Sequence, residues 1–500
     1  MDHSADLVLL AGCALLLVAV LAVRLSARTG VPALLVYLAL GLVLGEAGFG
    51  IRFEDYDLTS QLGLVALAVI LAEGGLTTRW AQVRPAVPVA ATLSTLGVLV
   101  SVAVVGGATM LVLGTSFRTA LLLGGAVAST DAAAVFSVLR RLPVTPRLRS
   151  VLEAESGLND APTVVLVTIV SSTSWHSTSP GEALLLVLYE LAVGLVVGLA
   201  IGWLGRSTLG RLALPSAGLY PIATVALVLL AFGAAGALHA SGFLAVYVAG
   251  LVVGSTRLPH RRAVLGFATS LALLAEMGLF VLLGLLASPD RLVDALPSAL
   301  VVGAAASLLA RPLAVLLSTA PFRMPWRHQA FLAWAGLRGA VPIVLALVPV
   351  TAGVSGATDV LDVVFVLVVV YTLVQAPTLP WVGRRLGVVE DLEARDLEVE
   401  SAPLEQVGAD LLQIQVRAGS HLHGVYVDEL RLPKGAVLSL VVRGGEGTVP
   451  GPDTRLERGD QLLVVATTES RSAAEERLRA VSQDGKLARW YSADPRATPR

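Results

Sequence analysis

A succession of apolar segments, each long enough to cross a lipid bilayer, is the feature that most constrains the fold of this chain. With 55% hydrophobic and only 15% charged residues among 500, the composition is that of a membrane protein rather than a soluble domain. The sequence therefore predicts a polytopic α-helical protein embedded in a lipid bilayer. We count about thirteen segments, at roughly residues 6–24, 31–48, 60–78, 86–113, 117–139, 148–173, 182–205, 216–238, 241–255, 262–287, 292–318, 327–350 and 359–383.

Arginines are concentrated in every second loop between these segments. Because cytoplasmic loops carry the positive residues, the pattern predicts an N-terminus outside, a cytoplasmic C-terminus and an odd number of spans. The first segment lacks a basic start and a clear cleavage site, so we expect a retained span. The net charge of −1 gives no reason to expect a nucleic-acid partner. The arginine-rich loops contain Arg24 and Arg28, Arg79 and Arg84, Arg140 to Arg149, Arg206 and Arg211, Arg257 to Arg262, Arg323 and Arg327, and Arg384 and Arg385.

A polar motif, Glu153 to Asp160, lies inside the sixth apolar segment. Carboxylates at this depth in a membrane are unfavourable and indicate a functional site. Ser156 and Asp160 are four residues apart and therefore share one helix face. A hydroxyl beside a carboxylate suits a monovalent cation, and a partly desolvated carboxylate can hold a proton instead. The motif predicts one site at Asp160 and Ser156 that takes either ion; the alternative is a structural carboxylate satisfied by backbone N–H groups.

Two further segments are interrupted by polar residues, glycine and proline. The fifth contains Ser129-Thr130-Asp131 after two glycines, and the twelfth contains Gly336 to Pro342. Such breaks at corresponding places in two halves indicate the crossing unwound helices of a secondary transporter. Their offset of seven segments predicts inverted six-helix repeats separated by one linking span. A Ser-Thr-Asp helix cap is the structural alternative for Thr130 and Asp131.

The remaining buried charges need partners, because an isolated charge in the membrane is strongly unfavourable. Glu155 and Arg338 are both deep, and we predict that they form an ion pair. Asn159 either contributes to the ion site or bridges the broken helix. Glu73 is either a ligand on the access path or a surface acid near the end of the third span. Structural pairing is predicted for four charges that stand alone in their segments: Glu190, Glu276, Arg311 and Asp362.

The character of the chain changes after the last apolar segment. An acidic stretch at residues 389–402 reads as a solvated linker. Short β-type runs at 411–416, 437–442 and 461–466 and a helical run near 473–481 predict a small soluble α+β domain over residues 403–482. The tail, residues 483–500, is expected to be disordered. No Gly-x-Gly-x-x-Gly motif occurs in this region, so a Rossmann site for NAD or ATP is not expected.

These motifs together resemble those of the bacterial monovalent cation:proton antiporters of the NhaP type. The soluble domain resembles the C-terminal lobe of potassium-uptake regulators (TrkA-C, or RCK-C). The resemblance covers about residues 1–480, with the motifs in the right order. The matching strings are Glu153 to Asp160, Ser129-Thr130-Asp131-Ala132-Ala133-Ala134-Val135-Phe136, Gly336 to Ala340, Leu432-Pro433-Lys434-Gly435 and Arg458-Gly459-Asp460.

The resemblance implies a membrane domain at residues 1–388 that forms a homodimer through one subdomain and moves by alternating access around a six-helix core. It implies that Asp160 is the carrier carboxylate, with Ser156, Glu73 and the Thr130 main chain near the ion. It also implies the Glu155–Arg338 ion pair with Asn159 beside it, and a location in the bacterial inner membrane. Where sodium-transporting relatives have Thr-Asp-Pro, this chain has Thr130-Asp131-Ala132, which resembles the potassium/proton branch.

We therefore predict a potassium/proton antiporter with a role in pH homeostasis, and not an enzyme. Electroneutral exchange is expected from the charge count, because Asn159 is neutral and Arg338 would hold Glu155 charged. Alternatives are a sodium/proton antiporter of the same family, a ligand-gated potassium channel and a sodium-coupled solute symporter. No Thr-Val-Gly-Tyr-Gly-like filter supports the channel. No cofactor is expected in the membrane domain. The soluble domain is expected to pair with a second copy and bind a nucleotide such as cyclic di-AMP, or to act only as a dimer clamp.

Overall fold

A computed structural model describes residues 3–488 of the chain, with gaps at 30–31, 47, 52, 132–143, 176, 178, 212–213, 257, 390–398, 405–408, 418 and 468. The chain divides into two compact units, Met1–Glu390 and Asp391–Arg500.

The regular secondary structure of the first unit is mainly helical in its described part. At least seven of its helices are long and apolar enough to cross a membrane, and several shorter apolar helices accompany them. The prediction of a helical membrane fold is therefore confirmed. In chain order the helices are α1 (His3–Thr29), α2 (Ala33–Leu44), α3 (Tyr56–Thr77), α4 (Trp80–Val83), α5 (Val87–Thr92), α6 (Val98–Leu113), α7 (Phe117–Ala128), α8 (Pro146–Ser171), α9 (Pro180–Leu209), α10 (Leu219–Ala237), α11 (Gly242–Gly254), α12 (Arg261–Leu286), α13 (Pro289–Ala304), α14 (Arg311–Thr319), α15 (Trp326–Trp334), α16 (Ala340–Thr351) and α17 (Ala357–Leu386).

Small residues allow some of these helices to pack very closely. A Cβ atom on Gly254 would lie 2.2 Å from the carbonyl oxygen of Leu76, and one on Gly75 would lie 2.6 Å from that of Tyr247. These glycines therefore let α3 and α11 approach backbone to backbone, as small residues do in membrane helix pairs. Helix α11 also packs against α9 and α10, and α3 against α12. The site helix α8 lies beside this group and also contacts α5, α7 and α16.

Two π-helical segments interrupt otherwise continuous helices. Leu93–Gly97 joins α5 to α6, and Ala305–Ala310 joins α13 to α14. Such segments rotate the side chains that follow them and are frequent at functional sites. The second segment ends immediately before Arg311, so it determines the direction in which this arginine points.

The described residues include the second predicted helix break and the start of the first, and these two segments contact each other. Helix α7 ends at Ala128, and Ser129 to Asp131 are not helical; the rest of that motif, residues 132–136, lies outside the described residues. The second break separates α15 from α16. The backbone N–H of Asp131 donates to the carbonyl of Leu337 at 3.0 Å, which joins the two breaks directly.

The second unit contains a five-stranded antiparallel sheet with the order β1-β2-β5-β3-β4. Alternating apolar residues of β2 and β5, such as Leu412 and Val464, form its core with the C-terminal helix α18. The predicted α+β domain is therefore confirmed in class. The elements are β1 (Val399–Leu404), β2 (Ala409–Gln415), β3 (Ala436–Arg443), β4 (Glu446–Thr448), β5 (Gln461–Thr467) and α18 (Arg471–Asp484).

The predicted limits of this domain were wrong by a few residues at both ends. Strand β1 begins at Val399, inside the segment predicted as linker, because it pairs with β2 in register from Val399–Ile414 to Leu404–Ala409. Helix α18 ends at Asp484, two residues beyond the predicted end at 482. The central part of the predicted linker, residues 390–398, and residues 489–500 of the predicted tail lie outside the described residues.

Candidate functional site

Asp160 lies on α8, and its side chain is only 3% exposed. The hydroxyl of Ser129, in the break after α7, donates to its Oδ1 at 2.5 Å. Ser156 lies one turn earlier on α8 and is equally buried. The residue that bonds Asp160 in the structure is thus Ser129, which we did not predict as a ligand. Its position as the first residue of Ser129-Thr130-Asp131 was the available signal.

Asn159 joins the same two elements. Its Nδ2 donates to Thr130 Oγ1 at 2.6 Å, so consecutive residues of α8 bond to consecutive residues of the break. The Asn159 Oδ1 atom is buried, and the described part of the chain offers it no hydrogen-bond partner. A buried carbonyl oxygen without a partner is unfavourable unless something else binds it. The two pairs of bonded residues thus supply a carboxylate, an amide oxygen and two hydroxyls, the kind of oxygen groups that suit a hard cation.

Asp131 faces the other broken helix. Its Oδ2 accepts the backbone N–H of Ala340, the first residue of α16, at 2.8 Å. A carboxylate at this position satisfies an otherwise unpaired N–H and complements the positive end of the helix dipole. A Cβ atom on Gly339 would lie 1.7 Å from the same oxygen, so only glycine fits there. Asp131 therefore caps α16. The predicted Ser-Thr-Asp cap would act on the continuation of the fifth segment, which lies outside the described residues, and the predicted role of Asp131 in ion binding stays a prediction.

The predicted ion pair between Glu155 and Arg338 was wrong. Both terminal nitrogens of Arg311 bond the Glu155 carboxylate, Nη1 to Oε1 and Nη2 to Oε2, the latter at 2.9 Å. Both side chains are at most 8% exposed. Arg311 follows the π-helical segment that turns it towards α8, and it passes over Gly336, where a Cβ atom would lie 2.6 Å from its Nε. The family resemblance had pointed to the other buried arginine.

Arg338 instead stabilises the end of α7. Its Nε donates to the carbonyl oxygen of Val127 at 3.1 Å, and its Nη1 donates to Ser307 Oγ at 3.2 Å. Carbonyl groups in the last turn of a helix lack intrahelical donors and carry the negative end of its dipole. Arg338 therefore holds the C-terminal end of α7 just as Asp131 holds the N-terminal end of α16. Opposite charges stabilise the two facing helix ends.

Glu73 borders a large cavity rather than the Asp160 pocket itself. The hydroxyl of Thr269 donates to its Oε1 at 3.0 Å. The cavity has a volume of about 1050 Å³, and Asp160 is not among the residues that line it. Arg149 and Glu153 also line the cavity and form a salt bridge of 2.8 Å along α8. Of the predicted site residues, Asn159 therefore bonds Thr130, and Asp160 bonds Ser129 beside it in the chain. Glu73 lies on the cavity wall instead.

Two of the four charges that stand alone in their predicted segments have an observed ion-pair partner. Arg311 pairs with Glu155, and Asp362 lies 3.6 Å from Arg291. The predicted structural pairing is confirmed for these two.

Comparison with known proteins identifies the family of the membrane unit. The family profile "Sodium/hydrogen exchanger, transmembrane" matches residues 14–385, about three quarters of the chain. The chain belongs to the sodium/hydrogen exchanger family. The predicted class of activity, cation:proton antiport, and the predicted resemblance to NhaP-type antiporters are confirmed by this match. A second profile, the TrkA-C domain, matches residues 411–479 and confirms the assignment of the soluble domain.

Relatives extend over most of this exchanger. The K(+)/H(+) antiporter NhaP of Alkalimonas amylolytica is 35% identical over 459 residues, which cover 90% of this chain and 79% of that protein. The K(+)/H(+) antiporter NhaP2 of Shewanella baltica is 34% identical, covering 96% and 84%. The Na(+)/H(+) antiporter NhaS2 of Synechocystis is 29% identical, covering 74% and 69%.

Among solved structures, the sodium proton antiporter MjNhaP1 from Methanocaldococcus jannaschii has a similar fold. The TM-score is 0.65 at 22% sequence identity, covering 75% of this chain and 97% of that one. The fold of the membrane unit is therefore that of a known exchanger.

Proposed function

We propose that this exchanger moves potassium ions against protons, and that both compete for the carboxylate of Asp160. The observation that carries the proposal is the oxygen cluster at the first helix break. Asp160 accepts a hydrogen bond from Ser129, and the preceding residue of α8, Asn159, has an Oδ1 atom with no hydrogen-bond partner among the described residues. A cation bound there satisfies both groups. A proton on Asp160 removes the negative charge that attracts the cation, so only one of the two binds at a time.

We infer electroneutral exchange, one cation for each proton, from the charges around this cluster. Glu155 is neutralised by Arg311, and Asp131 caps α16. Asn159 carries no charge. Asp160 is therefore the one carboxylate of the cluster that is free to alternate between a proton and a cation, and each replaces the other at equal charge. An exchange rate that follows an imposed membrane potential at fixed pH gradient would contradict this stoichiometry.

The choice of potassium rests on the relatives. Those named K(+)/H(+) antiporters are 34–35% identical over at least 90% of this chain, whereas the Na(+)/H(+) antiporter matches at 29% over 74%. The Thr130-Asp131-Ala132 string agrees with this branch. Sodium/proton exchange is the alternative, since the ligand atoms do not by themselves rank the two ions. Comparing the apparent affinities for potassium and sodium in the same vesicles separates the alternatives.

We propose that the 1050 Å³ cavity opens to the cytoplasm, because Arg147 and Arg149 on its wall lie in the first turn of α8, at the end of an arginine-rich stretch that begins at residue 140 of the sequence. The N-terminus is then outside and the C-terminal unit cytoplasmic. The two touching helix breaks support alternating access about inverted repeats, with Asp160 at the pivot. A homodimer in the bacterial inner membrane is part of the same proposal.

We propose that the TrkA-C domain regulates this exchange, by binding cyclic di-AMP or another nucleotide across a pair of domains. Unregulated cation export would dissipate the gradients on which the cell depends. A ligand changes the rate through different affinities for two states of the transporter. A dimer clamp without a ligand is the alternative. Binding of cyclic di-AMP to the purified protein, measured by calorimetry, distinguishes them.

The central experiment uses purified protein in liposomes with a pH-sensitive dye. Potassium-driven pH change is expected in the wild type and absent in Asp160→Asn. Asp362→Asn is the matched control, because Asp362 is also a buried carboxylate of a membrane helix but pairs with Arg291 away from the cluster. We expect this control to retain exchange. Exchange that survives in Asp160→Asn would show that another group carries the ions.

A further inference from the structure

The point where the chain leaves the membrane unit is joined to the start of the site helix. Helix α17 ends at Leu386; the φ of 65° at Gly387, its C-cap, turns the chain, and the N–H of Val388 donates to the carbonyl oxygen of Gly383 at 3.1 Å. The next two residues then pair with the segment before α8. The N–H of Thr145 donates to the carbonyl oxygen of Val388 at 3.2 Å, and Val144 and Val389 form an antiparallel β-bridge.

This bridge is part of the packed core. Val388 is 1% exposed and Val144 is 7% exposed, and both belong to the main apolar cluster of the membrane unit. Close packing leaves little free space around such side chains, so displacement of one must displace the other.

The bridge is also continuous with the helix that carries Asp160. Thr145 is the N-cap of α8, Pro146 is its first residue, and the carbonyl of Thr145 accepts the N–H of Arg149 at 3.1 Å. Val144 and Pro146 line the 1050 Å³ cavity as well. Thr145, whose N–H bonds Val388, therefore fixes both the start of α8 and one wall of the cavity. After Val389, only residues 390–398 precede the first strand of the second unit.

We propose that Val388 and Val389 are positioning residues for α8, and that the C-terminal unit acts on exchange through this bridge. The bridge holds the start of α8 in the observed arrangement and is released as the transporter cycles. The C-terminal unit is covalently continuous with Val389, so it sets how easily the release occurs. This inference rests on the regulatory role of the TrkA-C domain proposed above. It adds the route by which that role reaches Asp160.

Thr145→Pro tests the bridge with little disturbance. The backbone at Thr145 has φ −51° and ψ 138°, which suit proline, also when the next residue is proline. The substitution removes the N–H that bonds Val388. Thr145→Ala is the matched control, because it keeps the N–H and removes only the hydroxyl.

The full-length variants are compared in liposomes by their apparent potassium affinity on the cytoplasmic side and their maximal rate. Weakening the bridge lowers the population of the observed arrangement, in which the cavity is open. We expect Thr145→Pro to weaken the apparent affinity by about fivefold, the effect of one hydrogen bond on an equilibrium, with an unchanged maximal rate. Thr145→Ala is expected to match the wild type. A merely structural role would instead reduce the rate without changing the affinity. Equal affinities in the proline and alanine variants would overturn the proposal.

A reversible crosslink gives an independent test if the proline variant does not insert. The single cysteine, Cys13, is replaced by serine, and Val144→Cys and Val389→Cys are introduced together. Directly opposed residues of an antiparallel pair are close enough for a disulfide. Oxidation should trap the observed arrangement and lower the maximal rate at least fivefold, and a reductant should restore it. Equal rates before and after complete oxidation would show that the bridge is never released and would overturn the proposal. Absence of exchange in the wild type would instead overturn the proposed function.

Discussion

Arg311 binds the carboxylate of Glu155 with both terminal nitrogens of its guanidinium group. Glu155 lies on α8, five residues before Asp160. Both side chains are buried, so neither charge can be compensated by water. The pair fixes Glu155 on α8, and in the proposed cycle it keeps this carboxylate from competing with Asp160 for cations.

Arg311→Met is expected to destabilise the protein by about 3–5 kcal/mol, because it leaves the buried Glu155 carboxylate uncompensated. The double variant Glu155→Leu/Arg311→Met should recover most of that loss. Thermal unfolding in detergent measures both. The control is a double-mutant cycle that uses Arg338→Met in place of Arg311→Met. The interaction free energy between Glu155 and Arg338 should be near zero. Strong coupling of Glu155 to Arg338 would contradict the observed pairing.

Ser129→Ala should impair exchange more than Ser156→Ala. The Ser129 hydroxyl bonds Asp160 at 2.5 Å and favours the ionised carboxylate. A hydrogen bond to a charged group contributes about 1.5–3 kcal/mol, so we expect roughly 10- to 100-fold weaker apparent potassium affinity. The proton then competes better, and the pH profile of exchange moves towards alkaline values. Transport assays at several pH values measure both effects. A larger loss in Ser156→Ala would favour the ligand set predicted from helical spacing.

Gly339→Ala is expected to abolish exchange. A Cβ atom there would lie 1.7 Å from the Asp131 carboxylate and would displace it from the N–H of Ala340. Gly278→Ala is the matched control, because it is also a membrane-helix glycine but has open space around its Cβ position. Transport rates per inserted protein compare the two. Normal exchange by Gly339→Ala would mean that the contact between Asp131 and α16 is dispensable.

Asp460 makes the stability of the C-terminal unit dependent on pH. Burial disfavours its ionised form, but hydrogen bonds from Arg443 and from the backbone N–H of Glu457 outweigh burial and hold the pKa of Asp460 below its usual value. A lowered pKa in the folded state stabilises the fold above the unfolded-state pKa of about 3.9. This contribution is lost as the pH falls through the folded-state value.

We therefore expect Asp460→Asn to lower the urea midpoint for unfolding of the C-terminal unit at neutral pH. In strong acid, the midpoints of the wild type and of the variant should be equal. Glu457→Gln is the control, because Glu457 contacts Arg443 with a side chain that is 52% exposed. Exposed salt bridges contribute little, so its midpoint should change only slightly. Equal effects of the two substitutions at neutral pH would show that the buried hydrogen bonds of Asp460 contribute nothing.

Truncation after Val389 should leave exchange intact and change its dependence on pH or ligand. The shortened chain keeps the bridge between Val389 and Val144 but loses the TrkA-C domain. Dye assays across a pH series compare it with the full-length protein. Complete loss of exchange in a truncated protein that still inserts and dimerises would count against a regulatory role.

The apolar segments could be predicted from sequence to within a few residues, because membrane thickness and hydropathy act locally. The predicted segment 262–287, for example, is helix Arg261–Leu286. The ion-pair partner of Glu155 could not be predicted in this way. Two buried arginines were available, and the π-helical segment before Arg311, which directs it towards α8, has no clear sequence signal.

The same limit applies to Asp160 and Ser129. Helical spacing correctly places Ser156 on the face of Asp160, but it reports only neighbours on one helix. A break in another helix brings Ser129 closer in space, and that approach depends on tertiary packing. Strand β1 was missed for a similar reason, since its charged and polar neighbours resemble a linker and only pairing with β2 stabilises it.

The volume of the cavity beside Glu73 has a consequence for where, in the proposed cycle, a potassium ion loses its hydration shell. A volume of about 1050 Å³ holds on the order of thirty water molecules at roughly 30 Å³ each, which is room for an ion together with its hydration shell. Asp160, at 3% exposure, lies beyond that space. In the proposed cycle, dehydration is therefore confined to the last step, between the cavity and the oxygens of Ser129, Asn159 and Asp160. We expect potassium and sodium to be distinguished in that last step.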